Sequence, residues 1–142
     1  MTPVLRPATP GDLPAVLKIE RESFPGSPWK TEDFAADECT VAVIEDYVIG
    51  FIVSRQTFPA AAGAPAEREI LNLAVATRFR KLGIATALIR HELARNAVHF
   101  LEVRESNHAA QSLYRKLGFV EVARRPQYYE SPVETAIVMK VK

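Results

Sequence analysis

The sequence of 142 residues contains one cysteine, one tryptophan and two methionines, and it has no long apolar run. A single thiol, Cys39, cannot form a disulfide within the chain, which is typical of proteins from a reducing compartment. No apolar run approaches the roughly 20 residues that a membrane-spanning helix needs, and the first residues lack the apolar core of a signal peptide. We therefore expect a cytoplasmic protein with no membrane partner.

The chain also lacks an excess of charge of one sign, since 18 basic residues face 17 acidic ones. Nucleic-acid binding usually requires a clear positive excess, so no nucleic-acid partner is expected and any basic function must be local. The three histidines show no spacing typical of a zinc site, and no metal is expected. The length favours one domain over residues 1–142 and leaves the oligomeric state unknown.

Apolar patterns along the chain predict a mixed α/β fold with three to four helices around one sheet. Between the predicted strands, residues 57–67 are rich in alanine, proline and glycine, which indicates a long mobile connection. Residues 96–98 form a tight link before a strand, and residues 124–132 are expected to be irregular because they contain two prolines.

The most informative stretch lies at residues 69–95. Residues 70–75 form a short aliphatic run typical of a buried strand, and apolar residues then recur at helical spacing from Ala85 to Leu93. The turn between them carries Arg78, Arg80, Lys81 and Gly83. A strand that enters a helix through a basic turn with glycine predicts an anion site, because backbone N–H groups and the positive end of the helix dipole face the ligand.

This turn matches neither a Walker loop nor a dinucleotide fingerprint. It resembles the Arg/Gln-x-x-Gly-x-Gly/Ala signature of the GNAT superfamily of acetyltransferases, as Arg80-Lys81-Leu82-Gly83-Ile84-Ala85. Two later segments extend the resemblance to the RimI-type ribosomal-protein-alanine N-acetyltransferases of that superfamily: Leu101-Glu102-Val103-Arg104 with Ser106-Asn107, and Leu113-Tyr114-x-x-Leu117-Gly118-Phe119.

The resemblance implies a GNAT fold: a central mixed, mostly antiparallel sheet of about seven strands, flanked by about four helices. It implies an enzyme that transfers an acetyl group from acetyl-coenzyme A to the N-terminal amine of a protein, with a ribosomal protein as the expected partner. Relatives usually have a shorter connection than residues 57–67, and a longer helix and link before residue 99.

Coenzyme A presents a pyrophosphate and a peptide-like pantetheine arm. The pyrophosphate requires N–H donors at a helix start, and the arm can pair like an added strand if strand 70–75 splays from its neighbour. In the resembling family the two corresponding segments make these contacts. The expected cofactor-binding residues are Leu73, Ala74, Val75, Arg80, Lys81, Leu82, Gly83, Ile84, Ala85, Thr86 and Asn107.

Acetyl transfer to an amine needs a base for the amine and an acid for the departing thiolate. Glu102 is the expected base, because it is the only acid in strand 99–103 and stands near its end; an ion pair with Arg104 is the alternative. Tyr114 is the expected acid, and core packing is its alternative. Asn107 either touches the cofactor, as in the family, or only caps the helix.

Aromatic residues in two irregular segments are the expected substrate-binding residues: Trp29, Tyr128 and Tyr129. In the resembling family the corresponding loops flank the peptide entrance. Trp29 is equally well explained as a loop anchor, and the two tyrosines as a cover for the sheet edge. Acetylation of lysine or of a small amine is the nearest alternative function. A non-catalytic acyl-coenzyme A-binding module is a third, which the joint presence of Glu102, Asn107 and Tyr114 disfavours.

Overall fold

The computed structural model describes residues 2–142, and these residues form seven β-strands and four α-helices. The strands are β1 (Val4–Pro7), β2 (Glu38–Ile44), β3 (Tyr47–Phe58), β4 (Ala66–Val75), β5 (Ala97–Arg104), β6 (Val120–Tyr129) and β7 (Glu134–Val141). The helices are α1 (Leu13–Ser23), α2 (Thr31–Ala36), α3 (Ile84–Leu93) and α4 (His108–Lys116).

All seven strands belong to one sheet, in the order β1-β2-β3-β4-β5-β7-β6. The pairs β1–β2, β2–β3, β5–β7 and β6–β7 are antiparallel, whereas β4 and β5 are parallel. The observed sheet and helices confirm the predicted mixed, mostly antiparallel fold.

The described residues form two compact units. One comprises the chain up to Arg55 together with Leu71–Arg95, and the other comprises Gln56–Ile70 and Asn96–Lys142. Strands β3 and β4 contribute residues to both units. The expectation of a single domain over residues 1–142 stays a prediction.

The core of the first unit is formed by apolar side chains of α1, α2, β2, β3 and β4. Phe34 of α2 is 1% exposed, and its ring lies 5.3 Å from that of Phe51 in an edge-on arrangement. Val16 and Ile19 of α1 belong to the same buried cluster. Burial of each such side chain contributes about 1.5–3 kcal/mol, which fixes both helices on their strands.

In the second unit, the alternation along β5 decides which side chains are buried. His99, Leu101 and Val103 are buried on one face of the strand, whereas Phe100 and Glu102 lie on the other face and are less buried. This alternation was predicted, and it keeps the carboxylate of Glu102 out of the apolar core.

The connection between β3 and β4 is shorter than predicted. β3 extends to Phe58 and β4 begins at Ala66, so residues 59–65 link them instead of residues 57–67. A bridge between Ala61 and Ala64 closes the tip, and Thr57 donates a hydrogen bond to the carbonyl of Glu67 at 3.2 Å. Strand pairing therefore overrides the low strand propensity of the flanking residues. The link between α3 and β5 is residues 94–96 and not the predicted residues 96–98, because Ala97 and Val98 already belong to β5.

Strand β6 also departs from the prediction, because residues 124–129 belong to it and are not irregular. β6 is the last strand in the sheet order, so one of its edges has no partner strand among the described residues. A bulged edge strand tolerates Pro126, and the register shifts between Arg125 and Tyr129, with φ of 55° at Gln127. All of β6 before Tyr129 is exposed.

Candidate active site

Glu102 lies towards the end of β5, in a cavity of about 210 Å³ within the second unit. Thr57, Glu69, Phe100 and Arg125 also line this cavity. Only 14% of the Glu102 side chain is exposed, and its Oε2 atom is buried without a hydrogen-bond partner among residues 2–142. An unsatisfied carboxylate oxygen is available to accept an N–H group or a proton from a ligand.

Burial raises the pKa of Glu102 above its ordinary value, and the negative charge of Glu69 adds to the increase. The charge of Arg125, whose Nε atom lies 3.7 Å from Oε2, and hydrogen bonding with Tyr128 lower the pKa in part. A raised pKa brings a carboxylate closer to the range in which it exchanges protons near neutral pH, as a general base must.

Arg104 is not the ion-pair partner of Glu102 that the sequence allowed. Its Nη1 atom lies 3.1 Å from Oε1 of Glu134, and its guanidinium donates to two carbonyl oxygens of the turn between β6 and β7, at 3.0 and 3.1 Å. The guanidinium carbon also lies 4.5 Å from the ring centroid of Tyr129. Arg104 therefore holds this turn and the tyrosine that precedes it.

Tyr128 and Tyr129 belong to the same electrostatic cluster as Glu102. Their ring centroids are 5.1 Å apart in an edge-on arrangement. Burial raises the pKa of Tyr129 to about 12, and the charge of Glu102 contributes to the increase. Burial raises the pKa of Tyr128 as well, followed by the charge of Glu102. Both phenols thus stay protonated at neutral pH and can donate hydrogen bonds.

Tyr114 of α4 is half-buried, with its ring centroid 5.7 Å from that of Phe119. Burial raises the pKa of Tyr114 to about 12. The Tyr114 phenol also contributes to the raised pKa of Tyr129, and its role as the acid beside Glu102 stays a prediction. The ring therefore packs, as the alternative reading held, and the hydroxyl retains a proton to donate.

The predicted anion site lies in the first unit, at the start of α3. Gly83 is the N-cap residue, with a left-handed φ of 82°, and the cap carries no side-chain hydrogen bond. Lys81 and Leu82 before it are exposed, Ile84 is buried, and Ala85 and Thr86 are half-buried. The N–H groups of the first helical turn therefore have no side-chain cap and face a turn without acidic residues.

Arg80 holds this turn through two hydrogen bonds. Its Nε atom donates to the carbonyl of Val75 at 3.0 Å, and its Nη2 atom donates to the hydroxyl of Ser23, also at 3.0 Å. The guanidinium thus ties the turn to β4 and α1. Arg80 and Lys81, which were both predicted to bind phosphate, are both exposed, and Arg80 in addition makes these two hydrogen bonds within the protein.

The expected pantetheine segment, Leu73 to Val75, lies at the end of β4. The ladder between β4 and β5 runs from Ala66↔Ala97 to Ile70↔Leu101, and β4 continues to Val75 beyond it. Ala74 and Val75 are buried, and the N–H of Leu73 donates to Oδ1 of Asn72 at 2.9 Å. The ladder with β5 therefore ends before residue 73, and pairing of this segment with the pantetheine arm stays a prediction.

Trp29 is a partly buried anchor of the loop between α1 and α2. Its ring packs 4.9 Å from that of Phe34, against the core of the first unit. The same loop is held by Glu20, whose buried carboxylate accepts hydrogen bonds from Ser27 at 2.5 Å and from Asn72 at 2.8 Å. A substrate contact of Trp29 stays a prediction.

Asn107 caps α4, because its Oδ1 atom accepts a hydrogen bond from the N–H of Ala110 at 3.1 Å. Asn107 therefore caps the helix, and a contact of Asn107 with the cofactor stays a prediction.

Cys39 is half-buried, and burial raises the pKa of its thiol to about 11, so it is a poor nucleophile.

Two further properties concern the whole of residues 2–142. No group of three or more metal-ligating side chains occurs among them. None of their helices is both long and apolar enough to cross a membrane.

Three residues around the acid–base cluster were not assigned a role from sequence: Glu69, Arg104 and Arg125. Glu69 precedes the strand 70–75 that was singled out, and Arg125 stands three positions before Tyr128. These positions in the sequence do not show that the side chains of Glu69 and Arg125 line the same cavity as Glu102, because that depends on the pairing of β4, β5, β6 and β7.

Comparison with known proteins gives a consistent result. Residues 13–119 match the sequence model of a protein family that is described as the acetyltransferase (GNAT) family. The chain is 32% identical to the [Ribosomal protein bS18]-alanine N-acetyltransferase of Escherichia coli K12, over 90% of this chain and 89% of that protein. It is 33% identical to an N-alpha-acetyltransferase of Sulfurisphaera tokodaii, over 88% and 84%.

Among solved structures, Ard1 from Thermoplasma volcanium superposes with a TM-score of 0.86 at 30% identity, covering 99% of this chain and 97% of that one. The match to the family extends over most of the chain and includes both the turn at Gly83 and the segment from Glu102 to Phe119. The chain therefore belongs to the acetyltransferase (GNAT) family and is an acetyl-coenzyme A-dependent N-acetyltransferase, as its motifs predict.

Proposed function

We propose that this enzyme acetylates the N-terminal α-amine of a protein, with Glu102 as general base and Tyr114 as general acid. The observation that carries the proposal is the cavity beside Glu102, where a buried carboxylate with a raised pKa stands among tyrosine hydroxyls. Relatives named as N-terminal acetyltransferases, from Escherichia coli and Sulfurisphaera tokodaii, support the same activity.

The start of α3 fits the pyrophosphate of acetyl-coenzyme A. The helix N-terminus has no side-chain cap, and a Cβ at Gly83 would meet no protein atom within 4 Å, so the space in front of the N–H groups is open. Lys81 adds positive charge, and Arg80 fixes the turn. In this proposal the residues from Lys81 to Thr86 hold the pyrophosphate, Leu73 to Val75 pair with the pantetheine arm, and Asn107 contacts the cofactor.

Acetyl-coenzyme A supplies the acetyl group as an activated thioester. Glu102 accepts a proton from the ammonium group of the substrate, so that the nitrogen lone pair becomes available to form the new amide bond. Tyr114 donates its phenolic proton to the sulfur as the carbon–sulfur bond breaks. As the amide forms, the nitrogen must lose a second proton; Glu102, which has by then released the first proton to solvent, accepts it, and it returns through solvent to the Tyr114 phenolate. Over one turnover the ammonium group therefore loses two protons, of which one ends on the thiol of coenzyme A and one in solvent.

An α-amine is the acceptor favoured by acid–base chemistry. Its pKa is about 8, compared with about 10.4 for a lysine side chain, so at pH 7 the α-amine is neutral roughly a hundredfold more often. Tyr128 and Tyr129 stay protonated and can hold the peptide backbone near Glu102. Trp29 is proposed to form a further wall of the peptide-binding cleft.

An alanine at the N-terminus of a ribosomal protein is the proposed substrate, by analogy with the Escherichia coli relative. The single thiol supports a cytoplasmic location.

The test compares three acceptors with acetyl-coenzyme A: a lysine-free peptide with a free N-terminal alanine, an Nα-blocked copy that contains lysine, and a polyamine. The proposal expects strong preference for the free N-terminus. The preference should weaken in Tyr129→Ala, while Glu102→Gln should lose transfer to every acceptor. Equal rates with the first two peptides would refute the Nα assignment, and preference for the polyamine would favour a small-amine acetyltransferase.

A further inference from the structure

Arg125 is placed beside the proposed catalytic base without belonging to any of the motifs. It extends from β6 across β7, and its Nε atom lies 3.7 Å from Oε2 of Glu102. Its guanidinium carbon also lies 5.5 Å from the ring centroid of Tyr128. A cation therefore already stands next to the oxygen that is to receive the substrate amine.

The charges lining the cavity explain why a cation is needed there. Among the described residues that line it, three are carboxylates, Glu67, Glu69 and Glu102, and one is a cation, Arg125. Tyr128 and Tyr129 of β6 complete the titratable groups that act on Glu102, and both are neutral at pH 7. A partly buried carboxylate with other carboxylates nearby is stabilised by an adjacent positive charge. The ammonium form of an α-amine carries the same charge.

The contact between Arg125 and Glu102 is one that a substrate can displace. A separation of 3.7 Å exceeds a normal hydrogen bond, and Oε2 remains without a hydrogen-bond partner among residues 2–142. The Arg125 side chain is 58% exposed, and the register of β6 shifts immediately after it. The guanidinium can therefore leave the carboxylate without breaking the strand ladder, and the Tyr128 ring offers it a second contact.

We propose that Arg125 is a selectivity residue: in the free protein its guanidinium occupies the place beside Glu102 that the substrate's ammonium group takes on binding. The inference rests on the proposed function. An acceptor must bring a positive charge and additional peptide contacts to displace Arg125, which disfavours small amines without a peptide backbone. Once the ammonium has replaced Arg125, transfer of one proton from it to Glu102 neutralises both groups, and no guanidinium remains beside the carboxyl to oppose that transfer.

The experiment compares Arg125→Gln and Arg125→Lys with the wild-type enzyme, using the free-N-terminus alanine peptide. Arg124→Gln is the matched control, because Arg124 is the adjacent arginine of the same strand and pairs with Glu121 and Glu105 instead of Glu102. In Arg125→Gln the KM for the peptide should fall severalfold, up to about tenfold, because the competing charge is gone. The acid limb of kcat/KM should move to higher pH by up to about one unit, because Glu102 loses a neighbouring cation.

Arg125→Lys retains the charge and should keep both properties near wild type, and Arg124→Gln should leave both unchanged. A ¹³C NMR titration of Glu102 should show the same rise in its pKa in Arg125→Gln, independently of turnover. An increase in KM in Arg125→Gln would mean that Arg125 binds the peptide and would overturn the inference. An unchanged KM and acid limb in a folded Arg125→Gln would also overturn it. Failure of the proposed function is distinct, because the wild-type enzyme itself would then acetylate no peptide.

Discussion

The variant Gly83→Ala tests whether glycine is needed at this position for stability or for binding of acetyl-coenzyme A. The backbone of Gly83 has a φ of 82°, and a Cβ there would meet no atom within 4 Å. The protein therefore has room for the methyl group, and only the left-handed backbone conformation is strained. That strain costs about 1–2 kcal/mol for a residue other than glycine. We expect the melting temperature to fall by roughly 3–6 °C in a chain of this size.

The effect on acetyl-coenzyme A should be larger. The added Cβ would occupy open space at the α3 N-terminus, where the pyrophosphate is proposed to approach the N–H groups. A hydrogen bond to a charged group contributes about 1.5–3 kcal/mol. Loss of one such bond weakens binding by roughly 10-fold to 150-fold, and loss of two weakens it further.

Gly63 provides the matched control. Its φ is 78° and its surroundings are equally open, but it lies in the connection between β3 and β4 instead of at a helix start. Gly63→Ala should lose similar stability and bind acetyl-coenzyme A with wild-type affinity. Isothermal titration calorimetry measures the affinity, and thermal unfolding measures the strain. If Gly83→Ala showed the stability loss of Gly63→Ala with unchanged affinity, the pyrophosphate would not bind at this helix start.

Three other predictions concern ionisable groups. Glu102→Gln should lower kcat by roughly 10²–10⁴ with nearly unchanged affinity for acetyl-coenzyme A. In the wild-type enzyme, kcat/KM should fall with decreasing pH through a pKa above the ordinary value for glutamate. Full activity of Glu102→Gln would refute the role of Glu102 as the base. Tyr114→Phe should lower kcat and leave the free energy of unfolding nearly unchanged, because its ring still packs; wild-type kcat would make the tyrosine purely structural. Asp12→Asn should lower the free energy of unfolding by about 1–3 kcal/mol at pH 7, because two hydrogen bonds with Arg6 hold the pKa of Asp12 well below its ordinary value. That difference should shrink steadily as pH falls below about 4 towards the lowered pKa, and a difference at pH 2 as large as that at pH 7 in denaturant titrations would contradict this explanation.

The parts of the fold that the sequence predicted depend on local patterns. The helix after Gly83 and the alternation that places Glu102 on the face of β5 opposite Leu101 and Val103 follow from the spacing of apolar residues a few positions apart. Asn107 was expected at the start of α4 because its side chain can accept from the first turn, and it does so.

The parts that were missed depend on contacts between distant segments. Arg125 and Glu69 meet Glu102 only because three strands bring their side chains into one cavity, and no local pattern encodes that register. For the same reason the sequence offered Glu102, and not Glu134 at 30 positions' distance, as the alternative ion-pair partner of Arg104. Residues 124–129 were misread because Pro126 is a poor strand residue, although an edge strand with a bulge accepts it.

The irregular edge of β6 has a consequence for solubility. An exposed sheet edge is a template on which a second chain can add a strand, and β6 is exposed over almost its whole length. Pro126 offers no N–H to such a chain, the bulge at Gln127 breaks the run of evenly spaced backbone groups, and Arg124 and Arg125 oppose an identical strand by charge. The distortion that carries Tyr128 and Tyr129 towards the acid–base cluster thus also protects the protein from edge-to-edge aggregation at high concentration.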